Sequence, residues 1–134
     1  AQMGADLLVE CLPDYLDGCL TAVPQPEEGA TYAGMIKKEE GQLDFTQSAE
    51  VLVRRVRAFT PWPGAFTFVE GGLLKVLRAH AAAGKGEPGQ RVSVDGKPAF
   101  GTAQGLLVLD EVQPAGKKAM MGDVFLRGTR HWEN

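Results

Sequence analysis

A proline-rich corner at residues 60–64, with the sequence TPWPG, constrains the fold of this chain more than any other feature. Proline lacks a backbone N–H and clashes with the preceding helical turn, so no helix is expected to continue through Pro61 and Pro63. Apolar residues recur at helical spacing before the corner, whereas after it they occur in short runs separated by glycines. The corner therefore predicts where a helix ends and a β-rich segment begins.

An amphipathic helix is predicted at the start of the chain, over residues 1–20, because its apolar side chains recur every three or four positions. We expect Pro13 to kink or restart this helix and Gly18 to end it. Residues 21–45 then contain two prolines and three glycines, which predict an extended linker with short local structure.

A second helix is predicted over residues 46–59, directly before the corner. Its apolar residues occupy one arc of about 120° at roughly 100° per residue, and Thr46 or Ser48 can cap its first turn. Three basic side chains flank the apolar arc: Arg54, Arg55 and Arg57. The helix is therefore expected to present positive charge beside the face that it buries.

Five short segments after the corner have the composition of β-strands, and glycines separate them. They are AFTFVE, LLKVLRAH, QRVSV, AFGTA and GLLVLDEV. Asp95-Gly96 favours a hairpin turn, and MMGDVFLRG predicts one short helix. The predicted fold class is mainly β with flanking helices: a small OB-like β-barrel over residues 46–134, preceded by the amphipathic helix and the extended linker.

The corner could line a ligand pocket or could fix how the helix meets the β-rich segment, and we favour the structural role. The residues of this structural corner are Phe59, Pro61, Trp62, Pro63 and Gly64. We expect Trp62 to pack under the turn and to join Phe59 to the barrel. Phe66 and Phe68 alternate with Thr67 and are expected to lie in the core.

Charge is distributed unevenly along the 134 residues, whose net charge is −3. Residues 1–50 carry two lysines and ten acids, whereas residues 51–134 carry twelve Lys and Arg and seven acids. A basic C-terminal part can bind a polyanion although the whole chain is mildly acidic. The sequence shows neither a signal peptide nor an apolar run long enough to span a bilayer, so no membrane partner is expected.

Sequence motifs for catalysis or metal binding are missing. Ser48 and Ser93 are the only serines, and neither lies in a G-x-S-x-G context. Cys11 and Cys19 on one helix would lie about 12 Å apart, beyond disulfide reach, so reduced thiols are expected. The loop AAAGKGEPG lacks the glycine frame of a phosphate-binding loop. We therefore assign no catalytic residue and no metal ligand.

Nine basic residues are the candidates for contact with nucleic acid, through phosphates rather than through bases. They are Lys37, Lys38, Arg54, Arg55, Arg57, Lys75, Arg78, Lys117 and Lys118. Lys75 and Arg78 are three apart in a predicted strand, so they should face opposite sides of it unless a β-bulge intervenes. Lys117 and Lys118 occupy a predicted loop.

Four collinear blocks resemble the C-terminal part of the methionyl-tRNA formyltransferase family. They are MGADLLVECLP at 3–13, PQPEEGATYAGMIKKEEGQLDFTQSAE at 24–50, RRVRAFTPWPGAF at 54–66 and VQPAGKKAMMGDVFLRG at 112–128. The resemblance implies that residues 1–20 are the last helix of a catalytic domain missing from this chain. It implies a linker at 21–45 and an OB-like tRNA-binding domain at 46–134.

The resemblance also implies an activity for the parent enzyme. In this family a Rossmann-like N-terminal domain transfers the formyl group of 10-formyltetrahydrofolate to the methionine amino group on initiator tRNA. The family's catalytic Asn, His and Asp and its Ser-Leu-Leu-Pro motif belong to that domain, and the only asparagine here is Asn134. The chain alone is therefore expected to be inactive and to hold no cofactor. Its expected partners are initiator methionyl-tRNA and its own N-terminal domain, as a monomer in the bacterial cytoplasm or in an organelle.

Two other hypotheses stay open at the level of sequence. PEEGATY followed by KKE also resembles the matching region of 10-formyltetrahydrofolate dehydrogenase, and sugar-nucleotide formyltransferases are further relatives. The domain would then support the catalytic domain of such a folate enzyme without binding tRNA. The third hypothesis is a free-standing OB-like interaction module, against which the apolar face of the first helix argues.

Overall fold

The computed structural model describes residues 2–133. The chain divides into two compact units, Ala1–Gly34 and Met35–Asn134. The helices are α1 (Gln2–Leu16), α2 (Ala49–Ala58) and α3 (Gly122–Gly128), and a 3-10 helix covers Lys38–Gly41. The strands are β1 (Ala65–Val69), β2 (Gly72–Ala82), β3 (Arg91–Val94), β4 (Lys97–Gly101), β5 (Leu106–Pro114) and β6 (Met120–Met121). In the described part of the chain, no helix has the length and apolar character needed to cross a membrane.

The first unit consists of α1 and the segment that follows it. The helix runs through Pro13 instead of restarting there, because it is exposed and water can solvate the carbonyl that loses its N–H partner. Its end agrees with the expectation: Gly18 has a left-handed φ of 74°, and the Cys19 N–H donates to the Asp14 carbonyl oxygen at 2.8 Å. The large apolar side chains of α1 are exposed, and Cys11 and Cys19 are free thiols.

Six antiparallel strands form one sheet in the second unit, in the order β1-β2-β5-β4-β3, with β6 paired to β5. The prediction of a mainly β fold with flanking helices is confirmed. The barrel, however, is not closed, since within residues 2–133 the edge strands β1 and β3 do not pair with each other. Closure depends on strand tilt and stagger, which turn residues and strand composition do not specify.

The core lies between α2 and the inner side of the sheet. Leu52 and Val56 of α2 meet the apolar side chains of the strands there. Trp132 completes the core: its ring centroid lies 5.3 Å from that of Phe100, and its Nε1–H donates to the Val92 carbonyl oxygen at 2.7 Å. The buried tryptophan thus has the hydrogen-bond partner that its indole N–H requires.

The strand pair β2–β5 contains an irregularity that shifts the alternation of its side chains. Val76 and Ala79 both pack into the core although they are three residues apart, and β5 has the same three-residue spacing opposite them. The two exposed cations of β2, Lys75 and Arg78, consequently lie on one side of the sheet. The sequence predicted that Lys75 and Arg78 would share a side only if a β-bulge lay between them, and the register shifts there.

The second unit begins before the expected domain boundary at residue 46. Leu43 is 4% exposed and belongs to the core, and its N–H donates to the Phe66 carbonyl oxygen at 2.9 Å. Gln42 forms a parallel bridge with the same residue of β1. Residues 42 and 43 of the expected linker are therefore attached to the sheet, and residues 35–45 belong to the second unit. A single buried leucine and a single backbone bridge do not produce a periodic pattern, so the sequence could not predict this attachment.

The start of α2 is stabilised differently from the expected side-chain cap. Ser48 occupies the N-cap position but its hydroxyl makes no capping hydrogen bond. The Ala49 N–H donates instead to the Gln104 carbonyl oxygen at 3.0 Å. Thr46, the other expected cap, donates its hydroxyl hydrogen bond to the Asp44 carboxylate at 2.7 Å, and this bond is the main reason that the pKa of Asp44 lies below its ordinary value. The contact between Ala49 and Gln104 therefore replaces a local side-chain cap.

The corner follows α2 at residues 59–64. Phe59 is buried, and Gly64 has a φ of 81° with its N–H donating to the Phe59 carbonyl oxygen at 2.9 Å. The expectation for Trp62 is wrong, since this residue is 62% exposed. The backbone hydrogen bond and the buried Phe59 ring hold the turn together without it.

Candidate nucleic-acid interface

Ion pairs distinguish the basic side chains that are available to a ligand from those that already have an acidic partner. Within residues 2–133 the pairs between Lys or Arg and acids are Arg78–Glu111, Arg91–Glu70, Lys97–Asp110 and Arg127–Asp123. Of the nine predicted cations, Arg78 is the one in such a pair in this part of the chain, and Arg55 lies over the Phe59 ring, 5.3 Å from its centroid. The other seven are exposed.

The first set of cations lies on α2, and we name it the helix group: Arg54, Arg55 and Arg57. Leu52 and Val56 on the same helix are buried, whereas Arg54 and Arg57 are exposed. These two arginines are three residues apart, so their side chains are neighbours on the helix surface. The helix group therefore presents two unpaired charges on the solvent side of α2.

A second set lies on the opposite side of the sheet. Lys75 is exposed, and its neighbours Leu74 and Val76 are buried in the core beneath α2. Successive strand residues point to opposite sides, so Lys75 points away from the core and from α2. Its cross-strand partners, Phe66 on β1 and Gln113 on β5, share its side.

The loop after β5 adjoins this surface. The Gln113 side-chain amide donates to the Lys117 carbonyl oxygen at 3.0 Å, and Lys118 follows directly. A shallow groove of about 110 Å³ is lined by Lys75, Gln113 and Gly116 among others. We name this surface the outer face and define it by Phe66, Phe68, Leu73, Lys75, Gln113 and the loop 115–119.

The 3-10 helix borders the outer face at β1. Gly41 packs so closely on the Phe66 ring that an added Cβ would lie 3.2 Å from two ring atoms. Lys37 and Lys38, at the start of this helix, are exposed. The Lys37 N–H donates to Glu40 at 3.1 Å, so acidic charge lies close to the two lysines. Two of the predicted cations are thus brought near the outer face, with their charge partly offset.

The expectation that Phe66 and Phe68 belong to the core is wrong, since Phe68 is 54% exposed and the half-buried Phe66 lies on the same outer side. The alternation along β1 is as expected, but Ala65 and Thr67 are the residues that face inward. The Phe66 and Phe68 rings meet edge to face with centroids 5.8 Å apart. An alternating pattern identifies which residues share a side, but does not identify which side is covered.

A charged cluster occupies the exposed side of β2 and β5 next to Arg78. The Asp110 carboxylate lies 2.8 Å from His80 Nδ1 and accepts from Lys97 Nζ at 2.6 Å. Partial burial alone would raise the pKa of Asp110, but the hydrogen bonds from Lys97 and His80 outweigh it, so this pKa lies below its ordinary value of 3.8. No group of three or more His, Cys, Asp or Glu side chains in the described residues could hold a metal ion.

The nine predicted cations therefore do not form one patch, and two of the groups that they form lie on opposite sides of the sheet. The helix group lies over the inner side of the sheet, and Lys75 with the loop 115–119 lies on the outer face. Sequence reasoning missed Gln113, which connects β5 to that loop, because its role depends on strand register. It also missed Asp110, whose partners are 30 and 13 residues away.

Comparison with known proteins places this geometry in context. The chain matches the family described as formyl transferase, C-terminal domain, over residues 35–130. The methionyl-tRNA formyltransferase of Myxococcus xanthus is 51% identical over 130 residues, which cover 96% of this chain and 41% of that protein. The Thermus thermophilus protein of the same name is 48% identical over 123 residues, 90% of this chain and 40% of that protein. The chain spans about two fifths of the length of these relatives.

Solved structures show the same fold in another protein. A crystal structure of a HypX variant from Aquifex aeolicus covers 93% of this chain and 24% of its own length, with a TM-score of 0.63 and 22% identity. A structure of HypX in complex with tetrahydrofolic acid has a TM-score of 0.61 at 21% identity, over 90% of this chain and 22% of its own. At this identity the likeness concerns the fold alone.

Proposed function

Since this chain belongs to the formyl transferase C-terminal domain family, we propose that it is the tRNA-binding C-terminal domain of a methionyl-tRNA formyltransferase. The observation that carries the proposal is the identity, near one half, with proteins of that name across nearly the whole chain. The parent enzyme would transfer a formyl group from 10-formyltetrahydrofolate to the methionine amino group on initiator tRNA.

The charge of the second unit supports an electrostatic role. Met35–Asn134 carries fourteen Lys and Arg and eleven acids, whereas Ala1–Gly34 carries six acids and no Lys or Arg. Seven of the nine predicted cations are exposed and lack an acidic side-chain partner within residues 2–133. Such side chains can bind phosphates without first breaking an ion pair, and phosphate contacts dominate affinity for nucleic acids.

The same proposal assigns catalysis and tRNA binding to different parts of the enzyme. Formyl transfer and folate binding would belong to the part of the enzyme outside this chain, and the chain alone would be inactive and hold no cofactor. Its partners would be initiator methionyl-tRNA and that catalytic part. We place the enzyme in the bacterial cytoplasm, where initiator tRNA is used, or in an organelle, and expect it to be monomeric.

Titration of the chain with initiator tRNA at several salt concentrations tests the proposal. We expect weak binding, because only part of the enzyme's contact surface is present, with log K falling linearly against log salt. Each phosphate contact should contribute about 0.9 to the magnitude of that slope. Absence of binding at low salt, or binding that ignores salt, would contradict a tRNA-binding role. Either result would favour a domain that only supports another folate enzyme.

A further inference from the structure

We propose that the outer face holds an unpaired nucleotide of the bound RNA, with Phe68 stacked on its base and Lys75 beside its phosphate. The inference rests on the proposed function, and it adds base stacking to an interface expected to contact phosphates alone. Aromatic side chains beside unpaired cations are the usual platform for single-stranded nucleic acid, because every base has a π-face.

The accessible ring of Phe68 is the first observation behind the proposal. Phe68 is 54% exposed in the middle of a strand whose Ala65 and Thr67 are buried. Phe66 contacts it edge to face at 5.8 Å between centroids, so the ring is supported while much of it stays accessible. A base that stacked on it would remove apolar surface from water at little conformational cost, since the strand already holds the ring in place.

The second observation is the charge next to this ring. Phe68 lies opposite Leu73, and Lys75 is its diagonal neighbour across the strand pair, roughly 7–8 Å away and within reach of a long side chain. Lys75 has no acidic side-chain partner in the described part of the chain. Glu70, which directly follows β1, lies 3.7 Å from the Arg91 guanidinium and so is partly neutralised. The electrostatics beside Phe68 therefore favour an anion.

The shape of the surface does not favour a deeply bound small molecule. The groove beside Lys75 has a volume of about 110 Å³. It shares Leu73, Pro114 and Ala115 with a second groove of about 200 Å³. Pockets for small molecules usually measure about 300–1,000 Å³. Shallow grooves beside an exposed ring suit a flat base laid on the surface.

A protein partner is the competing occupant of an exposed ring. It would cover Phe68 with apolar side chains and would bury or displace Lys75, whose charge then needs an acidic partner. This surface carries three lysines, Lys75, Lys117 and Lys118. Their positive charge complements a polyanion better than it complements the apolar surface of a protein partner. We therefore commit to RNA and leave a protein partner as an outcome of the test.

Two substitutions separate stacking from other roles of this residue. Phe68→Leu keeps an apolar side chain but removes the ring, and Phe68→Trp keeps a ring. Tyr32→Leu is the matched control, because it removes a fully exposed ring from the first unit. Since Phe68 is more than half exposed, all variants should fold, and thermal unfolding checks this.

The 134-residue chain and its variants are titrated with initiator tRNA, with a short unstructured RNA strand, and with an RNA duplex of equal length. Phe68→Leu should weaken binding to the tRNA and to the single strand about tenfold without changing the salt slope, because stacking releases no counterions. Phe68→Trp should retain binding and gain fluorescence quenching beyond the wild-type background. Binding to the duplex, and all binding by Tyr32→Leu, should be unchanged.

The outcomes distinguish the stacking proposal from the proposed function. If the wild-type chain binds the tRNA but Phe68→Leu binds it equally well, stacking is excluded and the function survives. If the chain binds only the single strand, with dependence on Phe68, the stacking surface survives and the tRNA function fails. If wild type binds none of the three RNAs, both the stacking proposal and the proposed function fail. Equal weakening toward the duplex would also exclude stacking.

Discussion

The two sides of the strand pair β2–β5 differ in burial and in charge. On the inner side Leu74, Val76, Leu109 and Val112 are almost completely buried. On the outer side the same strands carry Lys75, and the ion pair Arg78–Glu111 lies next to the Asp110 cluster. Alternating residues of one element thus serve stability on one side and are available for binding on the other.

This difference teaches that the fold and the binding surface can change separately. Substitutions on the inner side should reduce the free energy of unfolding and affect RNA only through unfolding. Substitutions of exposed, unpaired residues on the outer side should do the reverse. The helix group is the intermediate case, because α2 contributes to the core through one face and presents arginines on the other.

The largest expected effect is the loss of an inner-side leucine. Leu109→Ala should lower the free energy of unfolding by about 2–5 kcal/mol, because it removes buried methyl groups and leaves a cavity. Urea unfolding measures this, with Lys75→Ala on the outer side of the neighbouring strand β2 as control, which should stay within about 0.5 kcal/mol. Equal losses in both variants would invalidate the contrast between the two sides.

The next effect concerns binding through the helix group. The charge reversals Arg54→Glu and Arg57→Glu should weaken tRNA binding roughly tenfold or more. They should also reduce the slope of log K against log salt by the contribution of about two phosphate contacts. The control reverses Arg127→Glu and Arg130→Glu, which changes the net charge equally at α3 and just after it. A slope unchanged by the first pair would remove α2 from the interface and leave the outer face alone.

A smaller effect on the free energy of unfolding is expected at Asp110, a partly buried residue of the outer side. Asp110→Asn should cost about 1 kcal/mol at neutral pH, because it weakens the charged hydrogen bonds to Lys97 and His80. The pKa of Asp110 is lowered in the folded chain, so its stabilisation is present above the unfolded value of 3.8 and is lost as the pH falls through the folded value. The unfolding curves of both proteins should therefore begin to approach each other as the pH falls below about 4, and they should coincide below the folded pKa of Asp110. A gap that persisted in acid would contradict this origin.

The smallest effect is expected at the exposed ion pair. Arg78→Gln should change the free energy of unfolding by about 0.5 kcal/mol or less, since the two side chains are 62% and 30% exposed. Thermal unfolding at low and high salt measures it, and the small loss should vanish at high salt. A loss as large as that of Leu109→Ala would mean that the outer side also stabilises the fold.

Much of the architecture could be predicted from local rules. Pro61 and Pro63 set the end of α2, and the apolar arc of α2 identified Leu52 and Val56 as buried. The mainly β character of the remainder followed from short strands and glycine turns. The attachment of Leu43 to β1 and the burial of Trp132 could not be predicted, because neither belongs to a periodic segment.

The candidate surfaces were less predictable than the fold. Composition identified the basic residues, and the conditional statement about a bulge covered Lys75 and Arg78. The sequence could not show that Arg78 would pair with Glu111 or that Asp110 would join Lys97 to His80. It also could not show that Phe68 would face solvent. Each of these depends on which strand lies next to which, and in what register.

The sequence by itself determined where helix gives way to strand at Pro61–Gly64, and which residues alternate along each strand. These properties are local, because proline geometry and side-chain period act within a few residues. Only the tertiary structure decided which side of the sheet α2 covers. That choice left the Phe68 ring exposed, and the tertiary structure likewise decided that Trp132 is buried and Trp62 exposed. The physical reason is that burial depends on contacts between segments far apart in the chain, and no local pattern records them.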